Sequence, residues 1–401
     1  MSFLVCLHIN EKYMKKIVIA SDSYKGSVSS IEVADSAEKA INAVFPDCEV
    51  LKLPIADGGE GTTEALVNAL EGRMVLCNVH DPMMNIIKAG YGILGDGMTA
   101  VIEMASASGL PLVPKEKRNP LFTTTFGTGE LIKDALEKGC RHFLIGIGGS
   151  ATNDAGTGML QALGFRFFDN NGDELGQGGE IMGRICSIDD SQVLPQIKES
   201  TFTIACDVNN PFSGENGAAF VYARQKGADD VMISVLDYCM RKFAKLINKE
   251  IGIDLDKIPG AGAAGGLGGG FIAFLPAQLK PGIEMVLEAL NFEERIKGAD
   301  LIITGEGKLD KQTGMGKAPS GVLLAAQKQN IPVVAIGGSV EETEELNNKG
   351  FLSVLSIQPG VVTLQQAMEK ESAMNNITRT LTQYLRGIEF FMSGEWKCAF
   401  N

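Results

Sequence analysis

Four times along the chain, a short run of β-branched residues gives way to a polar, glycine-rich loop and then to a helical spacing of apolar positions. The first of these units runs Ile17-Val18-Ile19-Ala20, then Ser21-Asp22-Ser23-Tyr24-Lys25-Gly26-Ser27, then a helix opening at Ser29. Ser29 and Glu32 stand at the spacing of a capping box, and Ile31, Ala34, Ile41 and Val44 form an apolar stripe that ends before Pro46. Val50 to Pro54 leads into ADGGEGT, and His142 to Ile147 leads into GGSATNDAGTG and the helical MLQAL. Leu301 to Thr304 leads into GEGKLDKQTGMGK, a helix through Leu324 and a strand from Ile331 to Ile336. Such alternation predicts an α/β protein with largely parallel strands.

Two stretches have a different texture. Ile86 to Leu94 and Met98 to Met104 are extended runs joined at Gly95-Asp96-Gly97, a hairpin signal. An amphipathic helix is expected from Asp230 to Lys249, with Val231, Leu236, Cys239, Phe243 and Ile247 on one side. The simplest strand-loop-helix units lie at the two chain ends. The expected organisation is therefore two α/β domains, one Rossmann-like and discontinuous over residues 14–64 plus 291–390, the second inserted as residues 65–290 with a mixed sheet. Residues 1–13 and 391–401 read as extensions.

Composition narrows the partners. A chain of 401 residues exceeds the ~250 to 300 residues of a single core. A net charge of −13 argues against nucleic acid or an anionic membrane as a general partner, since both need a basic face. The eight cysteines are scattered without a CxxC pair, as suits free thiols in a reducing cytoplasm. No run approaches the ~20 apolar residues of a membrane span, and MSFLVCLHINEKYMKK puts its apolar stretch ahead of its lysines, the reverse of a secretory signal. The sequence leaves the oligomeric state open, a homo-oligomer included.

The loops carry the candidate chemistry. A glycine-rich turn between strand and helix offers backbone N–H groups to an anion. Gly148-Gly149-Ser150-Ala151-Thr152-Asn153-Asp154 adds two hydroxyls, an amide and a carboxylate to that geometry, against the plainer reading of Asp154 as a helix cap. Gly260-Ala261-Gly262-Ala263-Ala264-Gly265 matches GxGxxG in letter, but it follows Asp256-Lys257-Ile258-Pro259, which is not a strand pattern, so a dinucleotide fingerprint is not expected. A glycine-paved wall against a nucleotide stays open. No Walker A is present, since Gly316-Lys317 is followed by Ala318 and Lys311 stands where the first glycine belongs. His142, in an apolar run, reads as structural, and GxSxG is absent. Phosphoryl transfer to an alcohol needs Mg²⁺ on ATP, cations around the moving group and an acceptor for the hydroxyl proton. Asp22, Asp57, Glu60, Asp154, Asp207, Glu306 and Asp310, with Lys25, Lys308, Lys311 and Lys317, supply such groups, mostly just after a strand.

ASDSYKGS, ADGGEGT, GIGGSATNDAGTGMLQALG, CDVNNPFSG, PGAGAAGGLGGG and TGEGKLDKQTGMGKAP occur in this order from about Lys15 to Arg386, and in this the chain resembles the type I glycerate kinases. The resemblance implies an ATP- and Mg²⁺-dependent D-glycerate kinase giving 2-phosphoglycerate in glyoxylate, glucarate or related carbon catabolism. Ser21, Tyr24, Ala155, Asn209 and Lys308 depart from the family's usual Pro, Phe, Gly, Asp and Arg. On the chemistry of the loops, Asp57, Asp207 and Lys25 are the candidate catalytic residues. Asp22, Ser23, Lys25, Ser27, Lys308 and Asp310 are candidates for glycerate. Gly148, Gly149, Ser150, Thr152, Asn153, Gly260, Gly262, Gly265 and Lys317 are candidates for ATP, and Asp154, Asp207 and Glu306 for Mg²⁺. A kinase for a related hydroxy-acid, or a non-catalytic binding protein for small organic anions, uses the same loops.

The segment 1–13 precedes the first strand and has neither a capped helix nor strand alternation. Its deletion is expected to leave thermal stability and turnover unchanged. A large fall in melting temperature on truncation would show that it is a docked element.

Overall fold

The computed structural model describes residues 14–314 and 317–393. The expected extension 1–13, and 394–401 of the other, lie outside the described residues. The strands are β1 (Lys16–Ser21), β2 (Glu49–Lys52), β3 (Arg73–His80), β4 (Ile86–Ile93), β5 (Thr99–Glu103), β6 (His142–Gly146) and β7 (Arg166–Phe168). They continue as β8 (Ser187–Asp189), β9 (Thr201–Ala205), β10 (Ala277–Lys280), β11 (Leu301–Leu309), β12 (Val333–Val340) and β13 (Ser353–Ser356). The protein is α/β and divides into two compact units. One takes the described residues up to Ile55 and from Asn291; the other is Ala56–Leu290.

In the first unit, five strands in the order β13-β12-β11-β1-β2 pair in parallel. Ile17, Val18 and Ile19 of β1 and Ile302 and Ile303 of β11 are buried, as expected of central parallel strands covered on both faces. The order reverses between β1 and β11, so the chain leaves those two carboxyl ends in opposite directions and a crevice opens there. The helix after β1, Ser30–Val44, starts at the expected capping box: Glu32 N donates to Ser29 Oγ and Ser29 N to Glu32 Oε2. Its buried face is Val33, Ala34, Ala37, Ala40, Ile41 and Val44, whereas Ile31 of the expected stripe is only half-buried. β11 corrects a second expectation. It does not stop at Thr304 but continues to Leu309, because Lys308 and Leu309 pair with Ser339 and Val340 of β12. Glu306 and Lys308 therefore sit on a strand rather than in a loop.

In the second unit the order is β10-β9-β6-β5-β4-β3. β10, β9, β6 and β5 run parallel, and β4 and β3 add antiparallel pairs, so this sheet is mixed. The β4–β5 hairpin forms at Gly95-Asp96-Gly97 as expected, with Met98 N and Thr99 N donating to Asp96 Oδ1. β3 has no counterpart among the expected elements: it is an edge strand whose outer residues Met74 and Leu76 are exposed, which hides the alternation of a half-buried strand. The helix Asp230–Ile251 buries Leu236, Cys239, Phe243 and Ile247, but Val231 is 72% exposed and belongs to the outer face. No helix of the described residues is long and apolar enough to cross a membrane.

Candidate functional site

In the first unit, the residues after β1 and the end of β11 meet at the point where the strand order reverses. Asp22 N donates to Gly305 O at 2.9 Å, and Ser21 Oγ to the same carbonyl at 3.0 Å. Gly307 lies against this turn: a Cβ there would come within 3.5 Å of Tyr24 Cα and 3.7 Å of Lys25 N. Tyr24 donates its hydroxyl to Ile336 O, an interaction a phenylalanine could not make, and burial together with the Glu306 charge holds its phenol far above the ordinary range. Asp22 is buried and accepts from Ser23 N at 2.6 Å, while Lys25 is exposed. Among the described residues, Ser27 Oγ is buried without a hydrogen-bond partner. Glu306 accepts from Thr313 Oγ1 at 2.7 Å and faces Lys317 Nζ at 3.8 Å. Lys308 pairs with Asp310 at 3.5 Å and Glu341 at 3.1 Å. The candidates Asp22, Ser23, Lys25, Ser27, Glu306, Lys308, Asp310 and Lys317 thus all belong to the switch-point end of one sheet.

In the second unit, Glu103, Gly146, Ala205 and Lys280 stand in register at the carboxyl edge of β5, β6, β9 and β10. The ADGG turn lies across that edge, backbone against backbone. A Cβ on Gly146 would come within 2.2 Å of Gly58 O, and one on Gly282 within 1.9 Å of Asp57 O. Gly282 opens the helix Gly282–Ala289, and its N–H donates to Asp207 Oδ1 at 2.9 Å. Asp57 and Asp207 are therefore brought to the same strand ends by Gly282. Asp57 is half-buried, with Oδ1 accepting from Gly59 N, and Asp207 is exposed.

The Gly148–Asp154 segment follows β6 at this edge. Its carbonyls turn inward: Gly149 O accepts from Leu110 N, Ala151 O from Thr123 Oγ1, and Thr152 O from Lys226 Nζ at 2.5 Å. Among the described residues, nothing accepts from the N–H groups of Gly148, Gly149 or Ser150, and Gly148 and Gly149 are exposed. Gly149 has φ of +75°, a conformation that costs a residue with a Cβ but not glycine. Unmatched backbone donors in such a glycine turn suit an anion.

The side chains of this loop correct two expectations. Asp154 is 0% exposed and accepts from Thr125 N at 2.8 Å, Thr125 Oγ1 at 2.9 Å, Gly156 N at 3.2 Å and Gly158 N at 3.3 Å. Burial pushes its carboxyl up, and those hydrogen bonds pull it down. A metal ion could reach it only by displacing them, so Asp154 is an anchor of the loop rather than a metal ligand. Ser150, Thr152 and Asn153 are likewise buried, which leaves the loop's backbone, not their side chains, for a ligand. Ala155, where the resembling family has glycine, sits at φ of +52°.

Gly260, Gly262 and Gly265 are also buried, behind the 3₁₀ turn Leu255–Lys257 rather than a strand. A Cβ on Gly262 would come within 2.1 Å of Pro211 O and one on Gly265 within 2.1 Å of Thr152 O. These glycines let three segments of the chain close on one another, which corrects their reading as a wall facing a nucleotide. Reading the sequence missed Glu103, which accepts from Thr63 N at 2.8 Å and whose carboxyl burial pushes up, although a lone acid closing an apolar run was a signal. It also missed Lys226, which nothing in Arg224-Gln225-Lys226-Gly227 sets apart. Among the described residues, no three acids, histidines or cysteines gather into a metal cage.

The chain matches the family model described as the glycerate kinase family over residues 17–389. It is 48% identical over 370 residues to the glycerate kinase of Halalkalibacterium halodurans, covering 91% of this chain and 97% of that protein. To the glycerate 2-kinase of Escherichia coli it is 48% identical over 365 residues, covering 91% and 95%. A solved structure from Salmonella typhimurium LT2 that carries the name glycerate kinase 2 superposes with a TM-score of 0.88 at 44% identity, covering 95% of this chain and 100% of that one.

Gly282→Ala forces the Asp57 turn off the strand ends and is expected to cost about 1 to 3 kcal/mol in urea denaturation. Gly176→Ala, with nothing near its added carbon, is expected to stay within about 0.5 kcal/mol of the parent. Equal stabilities for the two variants would contradict the packing described.

Proposed function

The chain belongs to the glycerate kinase family, enzymes that transfer phosphate to an alcohol group, and from that premise we propose that it moves the γ-phosphoryl group of ATP onto the 2-hydroxyl of D-glycerate. The observation that carries the nucleotide part is the Gly148–Ser150 turn after β6, whose three N–H groups have no acceptor among the described residues and whose two glycines are exposed. Such a turn suits the oxygens of a polyphosphate without a side-chain charge. The carboxylate of glycerate is assigned to Lys25 and the turn around it, where the unpartnered Ser27 Oγ suits a ligand oxygen. Lys308, paired with Asp310 and Glu341, is a second candidate cation at this end of the sheet.

In the reaction, the 2-hydroxyl oxygen bonds to the γ-phosphorus as the bond from phosphorus to the β–γ bridging oxygen breaks. ADP leaves with that oxygen. Asp57 takes the hydroxyl proton, a role its place on the strand ends supports. For a Mg²⁺ ion accompanying ATP, one or two protein carboxylates would suffice, so a preformed cage is not required. Asp207, exposed and held by Gly282 N, suits that contact, and Glu306 is the alternative in the first unit. When bound, the ion would neutralise charge on the phosphates.

A three-carbon acid offers little apolar surface, so one charge-assisted contact carries much of its recognition. Lys25→Met is expected to lower kcat/KM for D-glycerate by ~10- to 150-fold, the equivalent of ~1.5 to 3 kcal/mol, with nucleotide affinity unchanged. Unchanged glycerate kinetics would refute the assignment. Selective loss of ATP affinity would move Lys25 to the phosphate side.

A further inference from the structure

Lys226 is 2% exposed, a rare placement for a lysine, and among the described residues its hydrogen bonds go to a carbonyl and a hydroxyl rather than to a carboxylate. Its Nζ donates to Thr152 O at 2.5 Å and lies 3.4 Å from Ser150 Oγ. Ser150 Oγ in turn accepts from Thr152 N at 3.1 Å and lies 3.4 Å from Ala264 O. The amine therefore lies against the buried side of this loop, at Ser150 and Thr152. Burial pushes this lysine down to about 7, with the Asp154 charge opposing. Burying a cation is costly, and an apolar side chain would fill the same space without that cost. The chain thus keeps an ionisable amine where stability alone favours an apolar side chain.

We propose that Lys226 is a positioning residue for nucleotide binding, holding the Thr152 carbonyl inward so that the Gly148–Ser150 N–H groups stay aimed at a polyphosphate and adding positive potential behind them. Two features of the geometry converge on this role. Of the hydrogen bonds to this loop's carbonyls, the 2.5 Å bond to Thr152 O comes from an ionisable amine, beside a 3.3 Å bond from Ser150 Oγ, whereas Gly149 O and Ala151 O take a backbone N–H and a neutral hydroxyl. Thr152 O also lies against Gly265, where an added Cβ would come within 2.1 Å of it, so the carbonyl has a packed place on the inner side of the loop. The group recognised is a polyphosphate chain, and the hydroxy-acid is not expected to sense Lys226.

This inference rests on the reading of the Gly148–Ser150 turn as the phosphate-binding loop, and the test separates the two. ADP and inorganic tripolyphosphate binding are measured by calorimetry for the wild type, Lys226→Met and Lys226→Gln, beside KM values for ATP and D-glycerate. Lys226→Gln keeps an N–H donor for Thr152 O without the charge, and guards against the methionine variant failing to fold. The expected result is ADP and tripolyphosphate affinity lowered about tenfold in Lys226→Gln, with ATP KM raised in step and glycerate KM unchanged. A smaller melting-temperature change than in Lys226→Met is expected as well. Equal ADP affinity in wild type and Lys226→Gln overturns the role of Lys226 while leaving the loop assignment intact. Equal losses for ATP and glycerate reduce Lys226 to a structural part and also overturn it. A wild type that binds ADP while Gly149→Ala binds it equally well sinks the loop assignment, and this inference with it.

Discussion

A buried carboxylate, Asp154, fixes the turn on which the nucleotide reading depends. It gathers two donors from Thr125 and two backbone N–H groups from Gly156 and Gly158, and so ties the loop after β6 to the start of the helices Phe126–Glu137 and Thr157–Ala162. A carboxylate without those donors would be expelled from such a site. With them, the loop is tied to two helix starts at once. The carbonyls of Gly149, Ala151 and Thr152 are engaged, and the N–H groups of Gly148, Gly149 and Ser150 have no acceptor among the described residues. The strain accepted at Ala155, φ +52°, is part of the same closure, since Ala155 N must reach Gly265 O at 3.0 Å.

The two sheets solve one problem twice. Parallel strands put all their carboxyl ends on one edge, where chain reversals crowd together and where ligands of open α/β sheets bind. In the first unit, β1 and β11 diverge there and present Asp22, Ser23, Lys25 and Ser27 beside Glu306. In the second, the ADGG turn crosses the ends of β6 and β9 and brings Asp57 beside Asp207 through Gly282. Side chains smaller than a methyl group are needed at Gly58, Gly146 and Gly282 because backbone meets backbone.

Much of this was legible from the chain alone. The strand-loop-helix rhythm gave β1, β2, β6, β11 and β12, and the Ser29–Glu32 capping box marked a helix start to the residue. What periodicity could not give was inwardness. Thr152, Asn153 and Asp154 look like ligands because polar residues in a glycine loop usually face water, yet here they turn in to meet Lys226, Met240 and Thr125 from distant segments. The glycines from Gly260 to Gly265 suggested a ligand wall for the same reason, whereas their close neighbours are Pro211 and Thr152. β11 ran past its expected end because Ser339 and Val340 of β12, remote in sequence, supply the pairing that Gly305 to Leu309 lack locally. Interactions of this range leave no local pattern to read.

The most direct test of the account is phosphorus NMR of the products formed from ATP, Mg²⁺ and D-glycerate by the purified full chain. The account predicts ADP in step with a single new phosphomonoester, coupled to the proton on carbon 2. Glycerate-independent ADP, no turnover, or a phosphomonoester coupled to the carbon 3 protons would contradict it.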